Sequence, residues 1–274
     1  MIVDAQVHLW KASTPDRPWL PGRVAQLPEP LLIEKLVPMM DEAGVGRAVI
    51  VPPSWEGDRN DYALEAVRRF PTRFAVMGRI PLADPQTAKL LPEWKKQPGM
   101  LGIRVTFHPP QWPWLSDGTT DWFWPLAEKF NLPVMFYGAP MPQFAPVAAR
   151  YPGLTMIADH LGVTGDVVKA GKLTEAVKET AVLAKYPNVS VKLSTTPFYS
   201  SESYPFRDMT VHIRRLFDAF GPRRCYWGTD LTNSYAKATY RQRVTHFTET
   251  LDFLSAEDKE WIMGRAILER LGWA

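Results

Sequence analysis

Eight short apolar runs recur along the chain, most followed by a loop and a stretch with helical spacing. They read IVDAQVH (2–8), RAVIVP (47–52), FAVMGRIP (74–81), MLGIRVTF (100–107), PVMFYG (133–138), LTMIADH (154–160), VSVKLS (189–194) and CYWGTD (225–230). Each is rich in Val, Ile, Met and aromatics, the profile of a strand buried on both faces. Helical patterns cover 30–44, 60–70, 120–131, 145–153, 172–188, 205–221, 240–253 and 255–272. Gly44 reads as a C-terminal cap and Asn60 as an N-cap. Ser255 with Asp258 reads as a capping box, and Pro38 should kink or split the first helix. This alternation, with no linker, predicts one domain over 1–274 with a parallel sheet. Eight such units in 274 residues suit a (β/α)8 TIM barrel.

An open doubly wound sheet is the rival fold, and it would carry a Gly-rich phosphate loop after its first strand. Here that strand runs into HLWKASTPDRPWLPG, and neither GxGxxG nor GxxxxGK[ST] occurs, so no nucleotide is indicated. The loop over 11–29 is long, contains proline and lacks helical periodicity, as functional loops often do.

Composition narrows the function classes. With 46% hydrophobic and 22% charged residues the chain reads as soluble and globular. A net charge of +3 without a Lys/Arg run argues against nucleic acid as a partner. One cysteine, Cys225, allows no intrachain disulfide and opens an apolar run, where a buried thiol is expected. No signal-peptide pattern is visible, and no apolar run approaches the roughly 18 residues of a membrane span. A cytoplasmic protein without a membrane partner is expected; the apolar outer helices leave a homo-oligomer open. Trp10, Trp19, Trp55, Trp112 and Trp114 lie in loops, where they either plug gaps between helices or line a pocket.

Catalytic groups in a barrel sit at the C-terminal ends of its strands. The polar residues of these runs fall there. Gln6 and His8 end the first, sharing an alternating face with Asp4. Arg104 lies in the fourth, leading to His108, and Tyr137 ends the fifth. Asp159 and His160 end the sixth, Lys192 and Ser194 the seventh, Thr229 and Asp230 the eighth. Ionisable groups in buried strands are costly unless paired or functional. Taken singly, each has a structural reading, as an ion pair, a loop brace or a satisfied core group; six strands together point to a site. His212 and His246 lie in helical patterns and read as outer-ring residues.

The runs VDAQVHLW, GMLGIRVTF (99–107), MIADHLG (156–162), VSVKLS and YWGTD (226–230) resemble the amidohydrolase superfamily, in its amidohydrolase-related branch of TIM-barrel hydrolases. The resemblance spans nearly the whole chain. The branch's first-strand motif, Asp-x-His-x-His, places Gln6 at its first histidine and His8 at its second. Its sixth-strand histidine falls on His160 and its eighth-strand aspartate on Asp230. The superfamily's metal-bridging lysine has no match, and its fifth-strand histidine is replaced near Tyr137, so the resemblance implies no binuclear centre. His8, His160 and Asp230 could hold one divalent ion, zinc or manganese, although glutamine is a poor zinc ligand.

A pyrone dicarboxylate hydrolase of this branch works without a metal, and the resemblance implies the same option here. Asp230 would activate water, His8 and His160 would polarise a carbonyl, and Arg104 with Lys192 would hold an anionic group. Tyr137 and His108 would contact substrate, and Gln6 would bond the carbonyl or orient His8. The expected reaction is hydrolysis of an anionic lactone or similar cyclic ester, under tryptophan-rich loops over 10–22, 54–59 and 110–124. Two alternatives stay open: metal-dependent decarboxylation of an aromatic acid on the same barrel, and a non-catalytic binding protein.

Overall fold

Eight parallel strands pair in chain order: β1 Ile2–Val7, β2 Val45–Ile50, β3 Phe74–Gly78, β4 Met100–Thr106, β5 Val134–Tyr137, β6 Met156–Ala158, β7 Val189–Leu193 and β8 Cys225–Trp227. This is a computed structural model, and it describes residues 1–273. The expected (β/α)8 barrel is present, nearly closed. Its last seam, between β8 and β1, is held by side chains as well as backbone. The Asp230 N–H donates to the Gln6 carbonyl at 3.0 Å. The buried Asp4 carboxylate accepts from the Thr229 N–H at 2.8 Å, the Thr229 hydroxyl at 2.5 Å and the Tyr240 hydroxyl at 2.7 Å.

Asp4 therefore does not share a face with Gln6, as simple alternation predicted. Asp4 pairs with Ala48 but Val7 with Ile50, so β1 carries one extra residue between them. Such a bulge resets the period of two. Asp4 turns to the outer helix Tyr240–Thr245, whereas Gln6 bonds Lys192 of β7.

The barrel is packed at its N-terminal end. Val3, Ala5, Val49, Met77, Met135 and Ile157 form an apolar cluster with Trp261 and Ile267 of the C-terminal helices. A Cβ on Gly264 would stand 2.3 Å from the Met1 carbonyl, so that segment lies directly against the start of the chain. Only the opposite mouth is left for chemistry.

The helices follow the sequence pattern with local departures. Ile33–Ala43 runs unbroken through Pro38, which stands on its exposed side, where water can satisfy the carbonyl it frees. Gly44 caps it at φ 75°. Asn60 caps nothing; its amide bonds the Arg79 backbone instead. The Ser255–Asp258 capping box is formed. Between β3 and β4, where no helical period exists, Pro85–Lys96 winds as 3-10 turns around two prolines and buries Leu91 and Trp94. Among the described residues no helix is long and apolar enough to cross a membrane.

Candidate active site

At the C-terminal mouth a cavity of about 210 Å³ is lined by His8, Trp55, Arg104, Tyr137, His160 and Asp230, among others. It adjoins a second cavity of about 440 Å³ that shares Arg104 and His108 with it. A larger groove, about 890 Å³, lies at the packed end beside Met1, Met263 and Trp273. It is mostly apolar and far from the strand ends that carry the titratable groups, so we place the chemistry at the mouth.

The structure brings His8, His160 and Asp230 together. His8 Nε2 stands 3.0 Å from Asp230 Oδ1, and His8 Nδ1 lies 2.6 Å from the Val51 carbonyl. Both ring nitrogens face oxygens, which fixes the plane of the imidazole. Asp230 Oδ2 accepts from the Thr195 hydroxyl at 3.1 Å and lies 3.8 Å from His160 Nε2. Burial raises the pKa of Asp230, but His160, His8 and Thr195 outweigh it and hold the carboxyl well below its usual range.

His160 is fixed from beneath. Buried Lys192 Nζ forms an ion pair with Asp159 Oδ1 at 2.9 Å and donates to Gln6 Oε1 at 2.6 Å. With its oxygen committed to the ammonium, Gln6 turns its amide nitrogen to His160 Nε2, 3.1 Å away. That network assigns His160 as an acceptor at Nε2 and a donor at Nδ1, toward Ser194 Oγ at 2.8 Å and Thr195 Oγ1 at 2.7 Å. Burial lowers its pKa to about 4, so the ring is neutral at ordinary pH. In this arrangement His160 aims no N–H at the cavity, unlike the carbonyl donor expected from the sequence.

Lys192 and Gln6 are fully buried and lie below the cavity floor rather than at the place of a substrate. Arg104 does reach the cavity. Its Nε bonds Asp159 at 3.2 Å and its Nη1 bonds Thr106 at 2.5 Å. Its guanidinium carbon stands 5.3 Å from the centre of the Tyr137 ring, which meets His160 edge-on at 5.0 Å. Gly138, at φ 106°, lets the β5 end pass the β4 end; a Cβ there would stand 2.2 Å from the Phe107 carbonyl. His108, at the start of the β4 loop, is half-buried, and burial followed by Arg104 lowers its pKa to about 4. Trp55 lines the cavity and Trp10 packs behind it at 89°, so loop tryptophans do both jobs expected of them.

Backbone strain marks the same places. His160, Thr195 and Asp230 have φ of 53°, 67° and 46°. For a β-branched threonine this is rare, and such strain clusters at functional sites. The sequence reading passed over Thr195, because nothing in a Ser-Thr-Thr run shows which hydroxyl will stand between an imidazole and a carboxylate.

A divalent ion, which this fold family often holds, does not fit the donors as they stand. The Nε2 lone pair of His160 is taken by the Gln6 amide, and the Lys192 ammonium sits directly behind that amide. Among the described residues no three His, Cys, Asp or Glu side chains are grouped to hold a metal.

A parallel eight-stranded barrel whose titratable groups gather at one mouth is built as the TIM-barrel enzymes are. Within that class this chain belongs to the amidohydrolase family, whose pattern matches residues 3–269. It is 26% identical to an L-fucono-1,5-lactonase of Burkholderia ambifaria over 244 residues, covering 83% of this chain and 79% of that one. It is 30% identical to a 4-sulfomuconolactone hydrolase of Hydrogenophaga intermedia over 213 residues, 73% of this chain and 65% of that one. A crystal structure of an amidohydrolase from Burkholderia multivorans with bound zinc superposes with a TM-score of 0.84 at 20% identity, covering 99% of both chains.

Proposed function

We propose that the protein is a hydrolase that opens a lactone or similar cyclic carboxylic ester. The observation that carries this reading is the ionised Asp230 carboxylate, one oxygen on His8 and the other on Thr195, at the edge of a small cavity. Lactone-opening relatives support it. Asp230 Oδ2 takes a proton from water as the water oxygen bonds to the carbonyl carbon. The carbonyl electron pair moves to oxygen, where the Arg104 guanidinium at the cavity wall stabilises it, while His8 Nε2 keeps hold of Asp230 Oδ1. Collapse breaks the ring C–O bond, and the leaving alkoxide takes the proton back from Asp230, giving a hydroxy acid.

His160 serves by position. Its Nδ1–H holds Thr195, which holds Asp230, while Gln6 and Lys192 fix the imidazole from below. Zinc in a structural relative belongs to that protein; here the Gln6–His160 contact and the buried ammonium support a route without a metal. An anionic lactone is the substrate class favoured by Arg104. The buried, unpaired Cys225 supports a reducing, cytoplasmic setting.

The test is a panel of sugar-acid and carboxylated lactones assayed by pH-stat. Turnover of at least one, lost in Asp230→Asn, is expected. No turnover on any lactone or ester sinks the reading. Carbon dioxide release from an aromatic acid by metal-loaded protein would favour decarboxylation instead.

A further inference from the structure

Arg243, in the outer helix Tyr240–Thr245, is only 2% exposed. All of its side-chain hydrogen bonds go to one stretch of chain, residues 229–238. Nη1 donates to the Thr229 carbonyl at 3.4 Å and to Ser234 Oγ at 3.1 Å. Nη2 donates to the carbonyls of Ser234 at 2.6 Å, Leu231 at 3.3 Å and Ala238 at 3.4 Å. The carboxylates whose charge it feels most, Asp230 and Asp4, are not among these partners. Burial pulls its pKa down to about 10, so it is a cation at ordinary pH. A buried guanidinium bonded to backbone alone is a costly way to fill space.

The stretch it gathers begins at Asp230. After β8 the chain has one 3-10 turn, Leu231–Ser234, before the outer helix starts, and Asp230 stands at φ 46°. The peptide that enters Asp230 is held at both ends: its N–H donates to the Gln6 carbonyl at 3.0 Å, and its Thr229 carbonyl accepts from Arg243. The clamp is itself anchored to the barrel. Trp227 Nε1 of β8 donates to the Arg243 carbonyl at 3.2 Å, and the Tyr240 hydroxyl donates to Asp4 of β1. Arg243 does not line the cavity, so it acts on the site only through this loop. A planar fork of five N–H donors can gather several inward-turned carbonyls, which a lysine ammonium cannot match.

We propose that Arg243 is a positioning residue for the general base: its guanidinium gathers the carbonyls of the 229–238 loop and so holds Asp230 in the left-handed turn that aims its carboxylate at His8, Thr195 and the cavity. The proposal deepens the lactone reading and rests on it for the role of Asp230; the clamp itself rests on the hydrogen bonds above. Without the fork, the strained turn at Asp230 relaxes, its carboxylate drifts from His8 and Thr195, and the base loses the contacts that keep it ionised. A small misplacement of a catalytic group is enough to cost much of the rate.

Two measurements on the full chain test this. The first is kinetic, with a lactone that the wild type opens. Arg243→Lys, which keeps the charge and the stem, lowers kcat by about tenfold, leaves KM within about twofold and moves the acid limb of the pH–rate profile to higher pH; Arg243→Gln does the same more strongly. Arg243→Lys carries the test if Arg243→Gln does not fold. The second is amide hydrogen exchange followed by mass spectrometry, which needs no turnover. Exchange over 229–238 rises about tenfold in Arg243→Lys while β2 to β6 stay within about twofold. An unchanged kcat in folded Arg243→Lys overturns the proposal. So does a fall in kcat with the acid limb unmoved, or exchange that rises evenly across the barrel, either of which marks a merely structural arginine. If the wild type opens no lactone, locally faster exchange together with an Asp230 carboxylate that titrates at higher pH by carbon NMR keeps the clamp and sinks only the lactone reading.

Discussion

Lys192 Nζ and Gln6 Oε1 meet at 2.6 Å across the barrel floor, joining β7 to β1. This contact decides which way the Gln6 amide faces, and so which nitrogen of His160 is free to accept. It also places a cation behind the position where the family's first-strand motif has a histidine. The Asp159 carboxylate balances that charge from below, and Arg104 shares it. The site is thus one connected polar network, high in consequence if any member is lost.

Lys192→Met should be strongly destabilising. It strips the buried Asp159 carboxylate of its nearest cation, and breaking such a pair costs about 3–5 kcal/mol. Arg104 remains on Asp159, so the lower end is expected. Urea unfolding at pH 7 measures it; a loss of only a few tenths would mean that Asp159 is not held as an ion.

Asp230→Asn keeps the shape and removes the base. A fall in kcat of roughly 10²–10⁴-fold is expected, with little change in the folded circular dichroism spectrum. Retained turnover would remove Asp230 from the chemistry.

Thr195→Val deletes the hydroxyl between His160 Nδ1 and Asp230 Oδ2 and leaves the volume. It should lower kcat by about 10-fold or more and move the acid limb of the pH–rate profile, whereas Thr195→Ser should restore both. A purely structural threonine would be rescued equally by neither residue type and would shift melting temperature without moving the pH profile.

Acid should weaken the fold in a defined window. The folded-state pKa of His160 is about 4 against an ordinary 6.5, so the unfolded chain binds the proton more readily between those values. The stabilisation is complete above pH 6.5 and is lost as pH falls through 4, worth roughly 3 kcal/mol at full extent. Urea midpoints between pH 7.5 and 4.5 should fall steadily. His108 and His246, both lowered to about 4 by burial, act in the same direction. A flat profile would contradict the assignment of neutral rings.

Chelation should leave lactone turnover within about twofold, because the donor set as arranged lacks a free third ligand for zinc. Loss of activity on dialysis against a chelator, with recovery on adding zinc or manganese, would overturn the metal-free route.

The strands were legible in the sequence because a doubly buried strand leaves a short unbroken apolar run, and all eight runs became strands. The strand-end groups His8, His160 and Asp230 were legible for a related reason: a charge at the end of such a run needs a purpose. The 3-10 turns over Pro85–Lys96 were not, since two prolines erase the period that marks a helix. Nor was the turning of Asp4 away from Gln6, which depends on one extra residue in β1 that the pairing with β2 reveals. Tertiary structure alone decided that Asn60 grips Arg79, that Lys192 lies beneath the site, and that Thr195 bridges imidazole and carboxylate. Sequence records what repeats along the chain. Which side chains meet across a closed barrel is fixed by register and closure, and these bring Gln6 and Lys192 into contact across 186 positions.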